Sequence, residues 1–205
     1  MWKRILFELE KHAPFTIFGA ITGIVIMLFS QNLSPGIAYN LFYVLHPLHV
    51  VVSALVTTSI YKLYNHNHKS KFYLLSLFII GYVGSVGIAT LSDCLIPYLG
   101  EYLLGMPNKG LHIGFIEKWW LINPLAILGI LIAYFKPFTK FPHAMHVLLS
   151  TWASLFHIMM AKGAGLSMIS YFIILFFLFL AVWLPCCLSD IIFPLIFTKE
   201  AKKNE

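Results

Sequence analysis

Charged residues are scarce in this chain of 205 residues. They make up 11% of the sequence, whereas hydrophobic residues make up 60%. A soluble domain needs a larger charged surface, so the composition predicts an integral membrane protein whose main partner is the lipid bilayer. The formal net charge of +6 does not indicate a nucleic-acid partner, because the positive residues lie in short loops and tails beside apolar stretches.

Cysteine is also rare, and three residues do not support a disulfide framework. Cys94, Cys186 and Cys187 all lie in apolar stretches and do not occupy matching positions in the two halves of the chain. We interpret them as small packing residues, with soft metal ligation as the alternative. A Cys-x-x-Cys-His motif is absent, and neither a haem nor a nucleotide cofactor is expected. The first apolar stretch has no Ala-x-Ala site, so no cleavable signal is expected.

Six apolar stretches are long enough to cross a bilayer as helices, which takes about 20 residues each. They cover about 13–33, 37–61, 72–99, 119–135, 138–160 and 166–197. With a cytoplasmic N-terminus, eleven lysines and arginines fall inside and three outside. This bias predicts a protein of the cytoplasmic (inner) membrane with both termini in the cytoplasm. The expected fold class is therefore an all-α integral membrane protein with six transmembrane helices.

Two polar motifs occur twice, and both copies are separated by 97 residues. Ser92, Asp93 and Pro97 return as Ser189, Asp190 and Pro194, and the pair His46 and His49 returns as His143 and His146. The aspartates are the only two in the chain. A shared offset for two separate motifs indicates an internal duplication that has kept the polar residues a membrane protein can least easily bury.

The duplication divides the chain into two three-helix repeats. Residues 1–105 form the first repeat, 106–118 an external connecting segment in which we expect a short surface helix or flap, and 119–205 the second repeat with a short cytoplasmic tail. Because three spans is an odd number, the second repeat enters the membrane from the opposite side, so the repeats are inverted. Inverted repeats are typical of many secondary transporters, whose binding sites lie near the midplane.

Polar residues follow one face of the second and fifth spans. Their positions are His46, His49, Ser53 and Thr57 in the second span, and His143, His146, Ser150, Ser154 and His157 in the fifth. Spacings of three and four place each set on one side of a helix. Because lipid cannot satisfy these groups, both faces are predicted to line the bundle interior.

The aspartate motif combines a carboxylate with a proline four residues later. Pro97 and Pro194 have no N–H group, so each leaves the backbone carbonyl of its aspartate without a helical partner. The motif thus predicts a break in the helix that offers a carboxylate, a carbonyl and the adjacent serine hydroxyl.

These residues predict two metal sites at different depths. His46, His49 and Asp93 would lie in the outer half of the membrane, and His143, His146 and Asp190 in the inner half. Two imidazoles and a carboxylate suit a divalent transition metal: zinc, iron, manganese, cobalt or nickel. The residues proposed to line the pathway or support the ligands are Ser53, Thr57, Ser92, Pro97, Ser150, Ser154, His157, Ser189 and Pro194.

The function predicted first is a transporter or permease for a divalent transition-metal ion. Alternatives are a proton or small-ion transporter without bound metal, and a metal-dependent membrane enzyme that hydrolyses a lipid. The enzyme requires one asymmetric site, and the main asymmetry is His157, because Ile60 stands at its matching position. Histidines that only join helices by hydrogen bonds are the simplest alternative.

Three further points stay open. Lys62 and Lys162 at the mouths of the second and fifth spans would suit an anionic substrate. Haem between His49 and His146 is disfavoured, because the predicted topology places them in opposite halves of the bilayer. A homodimer is possible, although nothing in the sequence requires one.

Overall fold

The computed structural model describes residues 2–65, 72–138, 140–163, 166–187 and 193–197, with side chains described except at 2–9, 11–12, 140–144, 187 and 195. This part of the chain is helical and contains no strand. Its helices are α1 (Trp2–Phe29), α2 (Pro35–Tyr64), α3 (Tyr73–Leu103), α4 (Gly114–Glu117), α5 (Trp119–Phe135), α6 (Lys140–Ala161), α7 (Met168–Cys187) and α8 (Phe193–Ile196). Each of the six long helices overlaps one of the six apolar stretches of the sequence. Helix α1 begins well before its stretch, and α7 extends to Cys187 whereas its stretch was predicted to reach 197.

Helix α2 is the centre of the bundle. It begins where Ser34 accepts a hydrogen bond from the backbone N–H of Ile37 and Pro35 occupies the first turn, where a missing N–H costs nothing. It then runs for 30 residues and packs against α3, α5 and α6. Any group on its inner face is therefore surrounded by other helices.

Helix α3 is continuous, and the predicted break at Asp93 is not present. Two π-helical turns, Val83–Gly87 and Leu91–Leu95, interrupt its α-helical geometry. At the second turn, the N–H of Ile96 donates to the carbonyl of Leu91, five residues earlier. Pro97 has no N–H to donate to the carbonyl of Asp93, and the wider π-helical turn accommodates the missing hydrogen bond. The helix therefore contains a π-bulge where a break was predicted.

Three of the described helices are long and apolar enough to cross a membrane: Pro35–Tyr64, Tyr73–Leu103 and Met168–Cys186. The apolar parts of the other three long helices are shorter, at Ala13–Phe29, Trp119–Phe135 and Met145–Ala161. Large apolar side chains such as Phe18, Leu75 and Phe172 lie exposed on the outside of the bundle. This surface suits lipid and supports membrane association.

The segment between the two predicted repeats folds back onto the bundle. It leaves α3 through a turn at Gly105, whose φ of 60° is the left-handed conformation that glycine adopts most easily. Met106 is buried, and the short helix α4 places Gly114 against the imidazole of His46. A short surface helix or flap was expected here, and the structure contains a short helix whose first residue, Gly114, is buried.

Candidate metal centre

The polar faces of α2 and α6 pack against each other in the interior. His46, His49, Ser53 and Thr57 on α2 are at most 1% exposed, as are His146, Ser150, Ser154 and His157 on α6. The prediction that both faces point inward is therefore confirmed for the described side chains. Because these helices are in lateral contact along much of their length, their polar groups meet near the centre of the bundle.

Asp93 accepts hydrogen bonds on both carboxylate oxygens. Oδ2 lies 2.8 Å from His46 Nδ1 and 2.6 Å from His49 Nδ1. Oδ1 accepts bonds from Ser92 Oγ at 2.7 Å and Ser150 Oγ at 2.9 Å. Four donors stabilise an ionised carboxylate in a place that water does not reach, and the buried polar residues of the described chain include no lysine or arginine. The sequence correctly placed His46, His49 and Asp93 together.

The two histidine pairs are not separated by depth as the sequence predicted. The rings of His49 and His146 are in contact, with centroids 4.5 Å apart. One nitrogen from each of them and the sulfur of Cys186 all lie within 4.8 Å of one another. The expectation that His146 belongs to a distant inner site is therefore wrong, because His146 joins the cluster around His49.

The contact between His49 and His146 also excludes haem between these two side chains. His49 and His146 were expected to lie too far apart in depth, but their rings touch. Axial haem ligands must stand on opposite faces of a porphyrin plane. Two imidazoles in direct contact leave no space for that plane between them.

A second buried carboxylate pairs with the remaining histidine of α6. His157 Nδ1 lies 2.6 Å from Glu101 Oε1, and Glu101 is fully buried. Glu101 was not among the predicted site residues, because the third span was predicted to end at residue 99. Asp93, Pro97 and Glu101 recur every four residues, and that spacing was the signal that could have found it.

The Glu101–His157 pair links the centre to the connecting segment. The His157 ring lies near that of His112, with centroids 5.6 Å apart, and His112 contacts Glu117. Phe42 lies on the other side, stacked on His46 and edge-on to His157. Glu117 also accepts a 2.5 Å bond from Tyr43. A series of ionisable groups thus extends from α4 to His157, which is separated from His46 of the Asp93 cluster by the ring of Phe42.

Polar groups continue along α2 on the other side of the cluster. Ser53, Thr57 and Thr58 are fully buried, and their hydroxyls have no hydrogen-bond partner among the described protein atoms. Ser154 instead bonds to the carbonyls of Ser92 and Ser150. Buried hydroxyls without partners are costly in an apolar interior, so this stretch suits bound water or an ion in passage.

Several predicted site residues lie outside the described part of the chain. These are Ser189, Asp190 and the side chain of His143. Pro97 and Pro194 are both buried. The second predicted ligand set can be followed only through His146.

Two overlapping sets of buried side chains could hold a metal ion. One consists of His46, His49 and Asp93, and the other of His49, His146 and Cys186. His49 belongs to both. No protein-family model, curated protein or solved structure matches the chain.

Proposed function

We propose that this chain is a membrane permease for a divalent transition-metal ion. The observation that carries the proposal is a cluster of metal-ligating side chains halfway along a buried polar face. That face runs on α2 from Tyr43 to Thr57, which is about 21 Å of helix at 1.5 Å per residue. The hydrocarbon core of a bilayer is about 30 Å thick, so the face covers most of the crossing.

The chemistry of the cluster supports a cation over an anion. Imidazole, carboxylate and thiol groups are ligands for transition metals. Lys62 and Lys162, the residues that would favour an anion, donate instead to the backbone carbonyls of Tyr134 and Gln31. Their ammonium groups are therefore engaged away from the cluster.

The proposal includes six spans, inverted repeats and cytoplasmic termini. Helix length supports the six spans, since α1 has 28 residues and α6 has 22 when their polar ends are counted. Only α5, with 17, is near the lower limit for crossing a bilayer. His143 and Asp190, whose side chains lie outside the described part of the chain, remain proposed metal ligands of the second repeat.

Metal flux into vesicles tests the permease directly. The full chain is reconstituted in liposomes that contain a metal-sensitive dye, and zinc, cobalt or manganese is added outside. We expect uptake above that of empty liposomes for the wild type and loss of uptake for His49→Ala, because His49 belongs to both ligand sets. His68→Ala, in the loop predicted between the second and third spans, is the matched histidine control and should keep its flux. Equal uptake by wild-type and empty liposomes would contradict the proposal.

A metal-dependent membrane enzyme is the second candidate, and asymmetry is the observation that favours it. His157 pairs with Glu101, whereas the matching position on α2 is the buried, apolar Ile60. The described ligands also form one merged cluster, as a single reaction centre would require. Metal-dependent hydrolysis of lipid in the same vesicles, without metal uptake, would support the enzyme and exclude the permease.

A further inference from the structure

We propose that the ion binds to His49 Nε2, His146 and Cys186, and that Asp93 orients His49 without touching the metal. This proposal rests on the metal-binding function proposed above and specifies which atoms contact the ion. It also narrows the cargo to divalent metals that bind thiolate, such as zinc, cobalt or cadmium. Three features of the cluster lead to it.

The first feature is the hydrogen bonding of His49. Its Nδ1 is 2.6 Å from Asp93, so Nδ1 carries the proton that is donated and the lone pair lies on Nε2. His49 Nε2 is buried and has no hydrogen-bond partner among the described atoms. A histidine that donates one N–H to a carboxylate while the other nitrogen binds metal is the usual arrangement in metalloproteins. Asp93 therefore has the position of the orienting carboxylate.

The second feature is that Asp93 is already fully engaged. Its two oxygens accept four hydrogen bonds, two from imidazoles and two from serine hydroxyls. Direct coordination would require it to give up bonds to His46 and His49. His46 is also poorly placed to bind the ion. Its Nε2 lies against α4, where a methyl group added to Gly114 would be 2.5 Å from that nitrogen. The backbone of α4 thus closes off that nitrogen.

The third feature is the geometry and charge of the remaining set. The nitrogens of His49 and His146 and the Cys186 sulfur lie within 4.8 Å of one another. Tetrahedral zinc with bonds of about 2.0 Å to nitrogen and 2.3 Å to sulfur needs separations of about 3.3–3.6 Å, so a small approach completes the site. On binding, the thiol proton leaves to solvent and a metal–sulfur bond forms. One thiolate and one nearby carboxylate then balance the two charges of the ion, in a core whose described buried residues include no lysine or arginine.

This donor set selects the substrate. Thiolate and imidazole favour zinc, cobalt and cadmium, whereas manganese, magnesium and calcium prefer oxygen ligands. Among the described side chains, these three ligands leave one tetrahedral position for a further ligand, as in sites that exchange what they bind.

Cobalt spectroscopy of the full chain in detergent tests the assignment. Cobalt bound through a thiolate gives an intense near-ultraviolet charge-transfer band, which we expect in the wild type and not in Cys186→Ser. Cys94→Ser is the matched control, because Cys94 is equally buried but belongs to neither ligand set. It should keep the band.

Asp93→Asn separates the orienting role from direct ligation. We expect the same cobalt spectrum with about 10–100-fold weaker binding, the usual effect of removing a supporting carboxylate. A changed spectrum in Asp93→Asn, or a band that survives in Cys186→Ser, would overturn the proposal. If the wild type binds cobalt without the band, this assignment fails while the metal-binding function stands. If the wild type binds no metal, the proposed function fails as well.

Discussion

Replacing Asp93 tests the hydrogen-bond network at the centre of the bundle. In Asp93→Asn, the amide oxygen can still accept from His46 and His49, while the amide N–H₂ faces serine hydroxyls that can rotate to accept from it. The number of bonds can therefore be kept. Their charge assistance is lost, however, and the difference between charged and neutral hydrogen bonds is about 1 kcal/mol each. Four bonds to Asp93 predict a loss of about 2–4 kcal/mol in the free energy of unfolding.

Asp93→Ala should be worse than Asp93→Asn. The Ser92 hydroxyl has an alternative acceptor in the carbonyl of Ala89 at 3.4 Å, but the two imidazole N–H groups have none among the described contacts. An unsatisfied buried donor costs about 1–3 kcal/mol, so two of them, together with the void, predict about 3–6 kcal/mol.

Reversible unfolding in mixed micelles, followed by circular dichroism, measures both variants against the wild type without added metal. Glu101→Gln is the matched control for neutralising a buried carboxylate elsewhere. Glu101 bonds to His157 and accepts a long bond from the Gly110 N–H, against four bonds at Asp93, so this variant should lose less stability. Equal stability of Asp93→Ala and the wild type would refute the network. So would an alanine variant that is more stable than the asparagine variant.

Two further predictions concern packing and the second buried pair. Gly129→Ala should destabilise the bundle by about 1–3 kcal/mol, since a methyl group there would lie 2.5 Å from the backbone oxygen of Val51. Gly87→Ala is the control: the space around Gly87 is open, so this variant should be neutral or stabilising by up to about 1 kcal/mol. Unfolding titrations of both variants check this, and an equally tolerated Gly129→Ala would contradict the close contact of α2 and α5. A double-mutant cycle for Glu101→Gln and His157→Gln should give a coupling energy of about 1–3 kcal/mol, whereas additive effects would show that the pair is not formed.

The sequence predicted the helices and the direction of their polar faces well. Apolar length and three-to-four spacing are local properties, and the burial of His46, Ser53 and Ser150 follows from them. The prediction that His46, His49 and Asp93 meet was also correct, because it required only two neighbouring antiparallel helices with these residues at similar heights.

Depth could not be predicted equally well. The histidines were placed in the outer half of a span at 37–61, but His49 lies at the midpoint of that span and also at the centre of α2, which runs from Pro35 to Tyr64. A central residue stays central when a repeat is inverted, so His146 can meet His49. The error was therefore to assign a central residue to one half of the membrane, which turned one merged cluster into two predicted sites.

Cys186 and Glu101 were not selected from the sequence, for two different reasons. Cys186 has no counterpart in the first repeat, so the internal duplication does not distinguish it from other apolar residues. Its approach to His49 and His146 depends on how α7 packs against α6, which no local periodicity specifies. Glu101 lies just past the predicted end of an apolar stretch, where helix boundaries are least certain.

Metal stoichiometry is the most direct test of the claim that the buried cluster holds a transition-metal ion. The full chain is purified in detergent, equilibrated with buffered zinc, dialysed and analysed for bound metal beside a His49→Ala/His146→Ala double variant. The cluster predicts about one zinc ion per wild-type chain and none in the double variant, because both imidazoles contribute to a single site. A wild-type chain that retains no zinc, or a double variant that retains as much as the wild type, would contradict the claim.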